Sequence, residues 1–99
     1  MLHCLQGLEF AINKDWYNFK TFNVKEYEYY ERVENGDLNY IVPGKFIAFM
    51  GPIDQRLDGQ KSGFTPEEYS EIFKQINVKR VIRLNEAKYD RKRFIQNGI

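Results

Sequence analysis

The chain has 99 residues, with 15 Lys and Arg against 14 Asp and Glu, 16% aromatics and one cysteine. The near-balance of charge excludes the one-signed field of a general nucleic-acid or membrane-surface binder, and the aromatic content excludes a disordered chain. A single cysteine excludes an internal disulfide framework and fits a reducing compartment.

No apolar run approaches the roughly 20 residues that a membrane span needs. The N-terminus also lacks a basic region followed by an apolar one, so no secretory signal is expected. The expectation is a soluble intracellular protein with neither membrane nor nucleic acid as partner.

Residues 2 to about 13 read as a helix, with Leu5, Leu8 and Ile12 forming one apolar stripe. No capping residue precedes it, as in a helix entered midway. Trp16, Tyr17, Phe19 and Phe22 follow in a turn-like segment and need something to pack against.

Asn23 is an N-cap, with Glu26 three residues on, and the helix it starts is expected to reach about Asn35 and stop at Gly36. Glu28 and Glu31 lie on one face of it, one turn apart, with Glu34 rotated further round.

From Tyr40 to Met50 the chain is nearly all apolar apart from Pro43-Gly44, which places a strand at 45–50. Its continuous apolar character suits a strand buried on both faces of a parallel sheet. Residues 53–63 are a polar loop. Then Thr65 caps a helix, Pro66 takes its first position and Glu68 completes a capping box. Phe64 and Tyr69 are spaced for a hydrophobic staple, and Tyr69, Ile72, Phe73 and Ile76 form the buried face. Val78–Leu84 reads as a second strand and Asp90–Gln96 as a short basic helix.

The fold class is therefore α/β. A helical segment and a linking helix precede a β–α–β unit, expected right-handed and parallel over 45–84. Two strands do not make a stable sheet, so the chain is expected to be part of a larger domain.

His3-Cys4 invites comparison with the HC-x5-R loop of cysteine-dependent phosphatases, where the thiolate attacks phosphorus and the arginine clamps the oxyanions. Here the sixth residue after Cys4 is Phe10, and the intervening LQGLEF reads as helix. A small cysteine buried on a helix is the better reading. One Cys and one His do not support a zinc site, and Gly51, Gly59 and Gly63 match neither a P-loop nor a dinucleotide fingerprint. No cofactor and no metal are expected.

Glu28, Glu31, Glu34 and Asp37 form an acidic cluster. It reads either as a solvated helix face, with Glu28 paired to Arg32 at i,i+4, or as a groove selecting cationic residues of a basic peptide. Lys88, Arg91, Lys92 and Arg93 read as a solvated basic helix, with no stacking platform for nucleic acid.

The stretch FNVKEYEYYERVENGDLNYIVPGKFIAFMGP, followed by VKRVIRLNEAKYDRKRFIQNGI, resembles the cell division cycle fourteen family of dual-specificity protein phosphatases. That family's pattern is an acidic helix, NGDLNW-I-P-x-x-F-I-A-F-x-G-P, a helix, V-x-x-V-x-R-L-N and Y-x-x-x-x-F-x-x-x-G. Tyr40 stands where the family usually has tryptophan.

The resemblance implies that residues 1–22 end a non-catalytic phosphatase-like domain, 23–36 are a linker helix, and 37–99 begin a catalytic domain whose HC-x5-R loop is not in these residues. It further implies proline-directed phosphosites as substrates, with a basic residue downstream of Ser-Pro received by Glu28, Glu31 and Asp37. Nuclear or cytoplasmic location, spindle association and a role in mitotic exit are also implied.

No catalytic residue is expected within the chain, and hydrolysis by it alone is not expected. The competing reading is a non-catalytic module that binds basic peptides or a protein partner.

Overall fold

The computed structural model describes residues 1–60 and 62–99. Lys61, inside the expected polar loop, lies outside the described residues. In chain order the elements are α1 (Leu2–Asn13), α2 (Val24–Glu31), a 3-10 turn (Val33–Asn35), β1 (Leu38–Val42), β2 (Phe46–Phe49), α3 (Pro66–Gln75) and α4 (Lys92–Gln96).

The α/β class holds, but the strands are arranged differently from the expectation. β1 and β2 form an antiparallel pair in which Leu38 faces Phe49, Asn39 faces Ala48, Tyr40 faces Ile47 and Val42 faces Phe46. Pro43-Gly44 does not merely interrupt an apolar run; it folds the run back on itself. Lys45 N–H donates to the Val42 carbonyl at 3.0 Å, and Gly44 has φ +74°. Proline followed by a glycine of positive φ is the pattern of a type II turn. Ile41 is the extra residue between the paired Tyr40 and Val42, a bulge in β1.

β2 is not buried on both faces. Along it exposed and half-buried residues alternate, with Phe46 and Ala48 outward. Val78–Leu84, the expected second strand, joins no ladder among the described residues. β1 and β2 satisfy each other's inner edges, and this segment meets no strand offering a matching row of N–H and C=O groups. Ile82 and Leu84 are accordingly exposed. The parallel β–α–β expectation is replaced, over these residues, by hairpin, helix and a segment without regular secondary structure.

α3 organises the core. Thr65 Oγ1 accepts from Glu68 N–H at 3.4 Å and Glu68 Oε2 accepts from Thr65 N–H at 2.9 Å, which completes the capping box around Pro66. Phe64 meets Tyr69 at 5.3 Å between ring centroids, the expected staple. Arg56 ties the polar loop to this end by donating to the Glu68 carboxylate and the Gly63 carbonyl, each at 3.0 Å.

The inner face of α3 builds an aromatic stack. Tyr69 lies on Phe73 at 5.4 Å, Phe73 on Phe94 at 6.0 Å, and Phe49 of β2 presents its edge to both Tyr69 and Phe73 at 5.0 Å. Leu38, Tyr69 and Phe73 are at most 1% exposed, and Tyr89 and Phe94 close the cluster. Burial raises the Tyr69 phenol well above its usual range, with the Asp37 charge adding to it.

α1 has the expected bounds and lacks a side-chain cap, as the sequence suggests, but it buries nothing. Leu5, Leu8 and Ile12 are all exposed. Cys4 is exposed as well. The reading of a buried cysteine is therefore corrected, because no element covers the face of α1 that carries it.

The basic helix α4 is not simply solvated. It starts at Lys92, whose N–H is capped by Asp90 Oδ1 at 2.9 Å. Its Phe94 enters the core. Arg93 Nε donates to Glu67 Oε1 at 2.7 Å and Arg93 Nη1 to Asp54 Oδ1 at 3.0 Å, joining α4, α3 and the loop.

Hydrogen bonding to Arg93 holds the Glu67 carboxyl down at about 2, against an ordinary 4.5. A carboxyl depressed in the folded state stabilises above its unfolded pKa and loses that contribution as pH falls through the folded one. The thermal midpoint is therefore expected to fall from about pH 4.5 towards about pH 2. Glu67→Gln should flatten this part of the profile when thermal unfolding is followed by circular dichroism. An unchanged slope in the variant would show that the clamp does not contribute.

Candidate functional site

The acidic cluster is carried by α2 and the turn after it. Asn23 caps α2, its Oδ1 accepting from Glu26 N–H at 3.0 Å. The helix ends at Glu31, earlier than the expected Asn35, because Arg32 turns to extended backbone at φ −65°, ψ 138°. The chain then makes a 3-10 turn and stops at Gly36, φ +123°. A Cβ at Gly36 would meet Leu38 Cδ2 at 3.1 Å and Ile72 Cδ1 at 3.4 Å, so glycine serves both the backbone angle and the packing.

Glu28 and Arg32 stand four residues apart, at the spacing of a helical ion pair. No such ion pair forms; among the described residues the ion pairs are Arg56–Glu68, Lys74–Glu71 and those of Arg93 with Asp54 and Glu67. Glu28 and Glu31 are exposed. They also stand in the C-terminal half of α2, which has no basic residue in its last turn. A carboxylate at the negative end of a helix dipole costs about 0.3–1 kcal/mol at low salt, and neither residue recovers it from a partner cation.

Asp37 is held in the left-handed region at φ +46°. Its N–H donates to the Arg32 carbonyl at 3.1 Å and its carbonyl accepts from Met50 N–H at 3.0 Å. Next to it, Tyr69 Oη donates to the Gly36 carbonyl at 2.7 Å. Asp37 is thus locked at the backbone between the end of α2, the end of β2 and the core face of α3. Glu28 and Glu31 share a helix face, and Asp37 is hydrogen-bonded to the residue that follows Glu31. Glu34 sits in the 3-10 turn, exposed. The group carries negative charge on a rigid frame and contains no nucleophile. Such a group can attract cations.

A cavity of about 520 Å³ lies beside the same helix, bounded by residues 15–23, α2 and the β1–β2 turn. Trp16, Tyr17 and Phe22 of the aromatic run after α1 face it, across from the Pro43-Gly44 turn, whereas Phe19 is 84% exposed and finds no packing partner among the described residues. A second cavity, of about 480 Å³, is lined by Arg80, Arg83 and Arg91 with Phe94 and Ile95. Arg83 there donates to the Tyr89 carbonyl at 2.9 Å and stacks over the Tyr89 ring at 4.3 Å. Among the described residues no group of three or more His, Cys, Asp or Glu side chains is placed to hold a metal ion, and no helix is long and apolar enough to cross a membrane.

No family model matches the sequence. Individual relatives do. The dual specificity protein phosphatase CDC14A of Homo sapiens is 48% identical over 99% of this chain, which covers 17% of that protein. CDC14AB of Danio rerio is 48% identical over 99% of the chain, covering 16% of the relative. The tyrosine-protein phosphatase cdc-14 of Caenorhabditis elegans is 39% identical over 95% of the chain, covering 13% of the relative. The relatives are thus much longer than this chain. The chain is homologous along nearly its whole length to the CDC14 dual-specificity phosphatases and spans 17% of the length of the human CDC14A relative.

Proposed function

We propose that this chain is the specificity-bearing junction of a dual-specificity protein phosphatase acting on proline-directed phosphosites. In this reading α2 and Asp37 form an acidic groove that receives a basic residue downstream of Ser-Pro, and hydrolysis is performed by an HC-x5-R loop that these 99 residues do not contain. Residues 1–22 then belong to a preceding phosphatase-like domain, 23–36 to the linker and 37–99 to the start of the catalytic domain.

The observation that carries the reading is electrostatic. Glu28 and Glu31 occupy the wrong end of a helix dipole, exposed and without cationic partners among the described residues. A stability-neutral surface would favour Lys or Arg there. Local choices that oppose stability are expected at functional positions.

The test is fluorescence anisotropy of the 99-residue chain with a labelled phosphoserine-proline peptide, bearing either lysine or alanine shortly after the proline. The lysine peptide is expected to bind roughly five-fold tighter or better, with the advantage shrinking as salt rises. Equal affinities at low salt would overturn the groove.

A further inference from the structure

The aromatic cavity beside α2 has its own chemistry, independent of the acidic face. Trp16, Tyr17, Phe22, Tyr27 and Tyr40 line it; Tyr17, Phe22 and Tyr27 form a connected run, at 5.9 Å and 5.8 Å between centroids, while Trp16 meets the edge of Phe10 and Tyr40 that of Tyr30. Trp16, Phe22 and Tyr27 are each about two-fifths exposed, so their faces remain available.

Two carboxylates, Asp15 and Glu26, are also in the lining, with Ile41, Pro43 and Ile76 as apolar neighbours, and no Lys or Arg is among the lining residues. The neighbouring Lys14 is turned to the Phe10 ring, 5.7 Å from its centroid. The charge of Glu26 is felt across the site: after burial, it contributes to raising the phenol pKa of both Tyr30 and Tyr40.

Aromatic faces attract a cation through their negative quadrupole, best of all tryptophan and tyrosine. Carboxylates add charge-assisted hydrogen bonds that a quaternary ammonium could not use but a guanidinium or ammonium can. A neutral apolar occupant would leave two carboxylates to be desolvated without compensation.

We propose that this cavity is a second cation subsite, which takes the guanidinium or ammonium side chain of a basic peptide between Trp16, Tyr27 and Tyr40, with Glu26 and Asp15 as counter-charges. The inference goes beyond the groove of Glu28, Glu31 and Asp37 and uses none of its residues. Asp15 stands just past the end of α1, with φ +56°. Glu26 gives its backbone N–H to the α2 cap and a favourable first-turn charge to the helix, so Glu26→Gln keeps the cap bond and costs the helix that charge interaction.

Trp16 is the single tryptophan of the chain and reports on the site directly. Its emission would be titrated with the tripeptide Gly-Arg-Gly and with the neutral isostere Gly-citrulline-Gly at physiological salt. A saturable change is expected with the arginine peptide, about ten-fold weaker with citrulline. Glu26→Gln and Asp15→Asn should each weaken the arginine response several-fold with unchanged far-UV circular dichroism.

The double variant Glu28→Lys with Glu31→Lys should keep a saturable arginine response at Trp16, since neither residue lines the cavity. Equal responses to arginine and citrulline, or no saturation, would overturn the subsite and mark the cavity as a surface for apolar contact. An arginine response lost in the Glu28/Glu31 variant but kept in Glu26→Gln would also overturn it, while leaving the acidic groove standing.

Discussion

Phe73→Ala is expected to abolish the cooperative thermal unfolding of this chain. Phe73 is 1% exposed and sits at the centre of the aromatic stack, with Tyr69, Phe49 and Phe94 around it at 5.0–6.0 Å. Truncating a buried phenylalanine costs about 3–5 kcal/mol, of which part is the cavity left behind. Stacked rings cannot collapse into that space without losing their own mutual contacts.

The core has little to offset this loss. It consists of Leu38, Tyr69, Phe73, Tyr89 and Phe94 with partly buried neighbours, while Leu5, Leu8, Phe19, Ile82, Leu84 and others remain in water. A typical domain holds only about 5–15 kcal/mol in total, and a chain with so much apolar surface unburied falls at or below the lower end. Far-UV circular dichroism on heating is the measurement, with Ile82→Ala as the control. Ile82 is 71% exposed, and its truncation is expected to shift stability by no more than about 0.5 kcal/mol. A sharp transition surviving in Phe73→Ala would mean that the stack is not the cooperative unit.

The parts of this fold that were legible in the sequence are those fixed by neighbouring residues. Thr65-Pro66-x-Glu68 specifies the start of α3 by local hydrogen bonds alone, and Phe64 with Tyr69 sets the entry angle. Asn23 marks the start of α2 for the same reason. Its end is less legible. Gly36 does stop the chain's turning, but it closes a 3-10 turn, and the α-helix has already ended at Arg32, which carries no breaking side chain. The turn after the break is held both locally, by Asn35 Nδ2 donating to the Tyr29 carbonyl at 2.8 Å, and from 33 residues away, by the Tyr69 hydroxyl donating to the Gly36 carbonyl.

The hairpin illustrates a different loss. Val42-Pro43-Gly44-Lys45 carries a type II turn signal, but a nearly continuous apolar run also matches a strand buried on both faces, and periodicity cannot separate the two. Val78–Leu84 reads as a strand from its apolar residues but forms none among the described residues, since pairing depends on what lies alongside. At the site, the spacing of Glu28 and Glu31 placed them on one face. That Glu28 would stand without Arg32 as an ion-pair partner was not legible there, since side-chain pairing is not set by spacing alone.

The charge reversal Glu28→Lys with Glu31→Lys is expected to separate binding from stability. If the two glutamates hold a basic residue of a substrate, replacing them by lysines converts two attractions into two repulsions. Affinity for a lysine-bearing phosphoserine-proline peptide should then fall by about ten-fold or more at low salt. Stability should move the other way. Lysines in the last turn of α2 complement the helix dipole, and each is worth about 0.3–1 kcal/mol at low ionic strength. No ion pair among the described residues is broken to obtain this, because neither glutamate makes one.

Asp37 should not be reversed in the same way. Its φ of +46° favours Asp, Asn or Gly, so a lysine there would confound backbone strain with charge. Asp37→Asn removes the charge and keeps the conformation, and it should weaken the lysine peptide without lowering the thermal midpoint. Anisotropy and thermal unfolding, measured on the same samples, decide the matter. Weaker binding with an equal or higher midpoint identifies carboxylates kept for a ligand at the expense of the helix that carries them. Unchanged binding in a stabilised double variant would return Glu28 and Glu31 to the status of a solvated helix face.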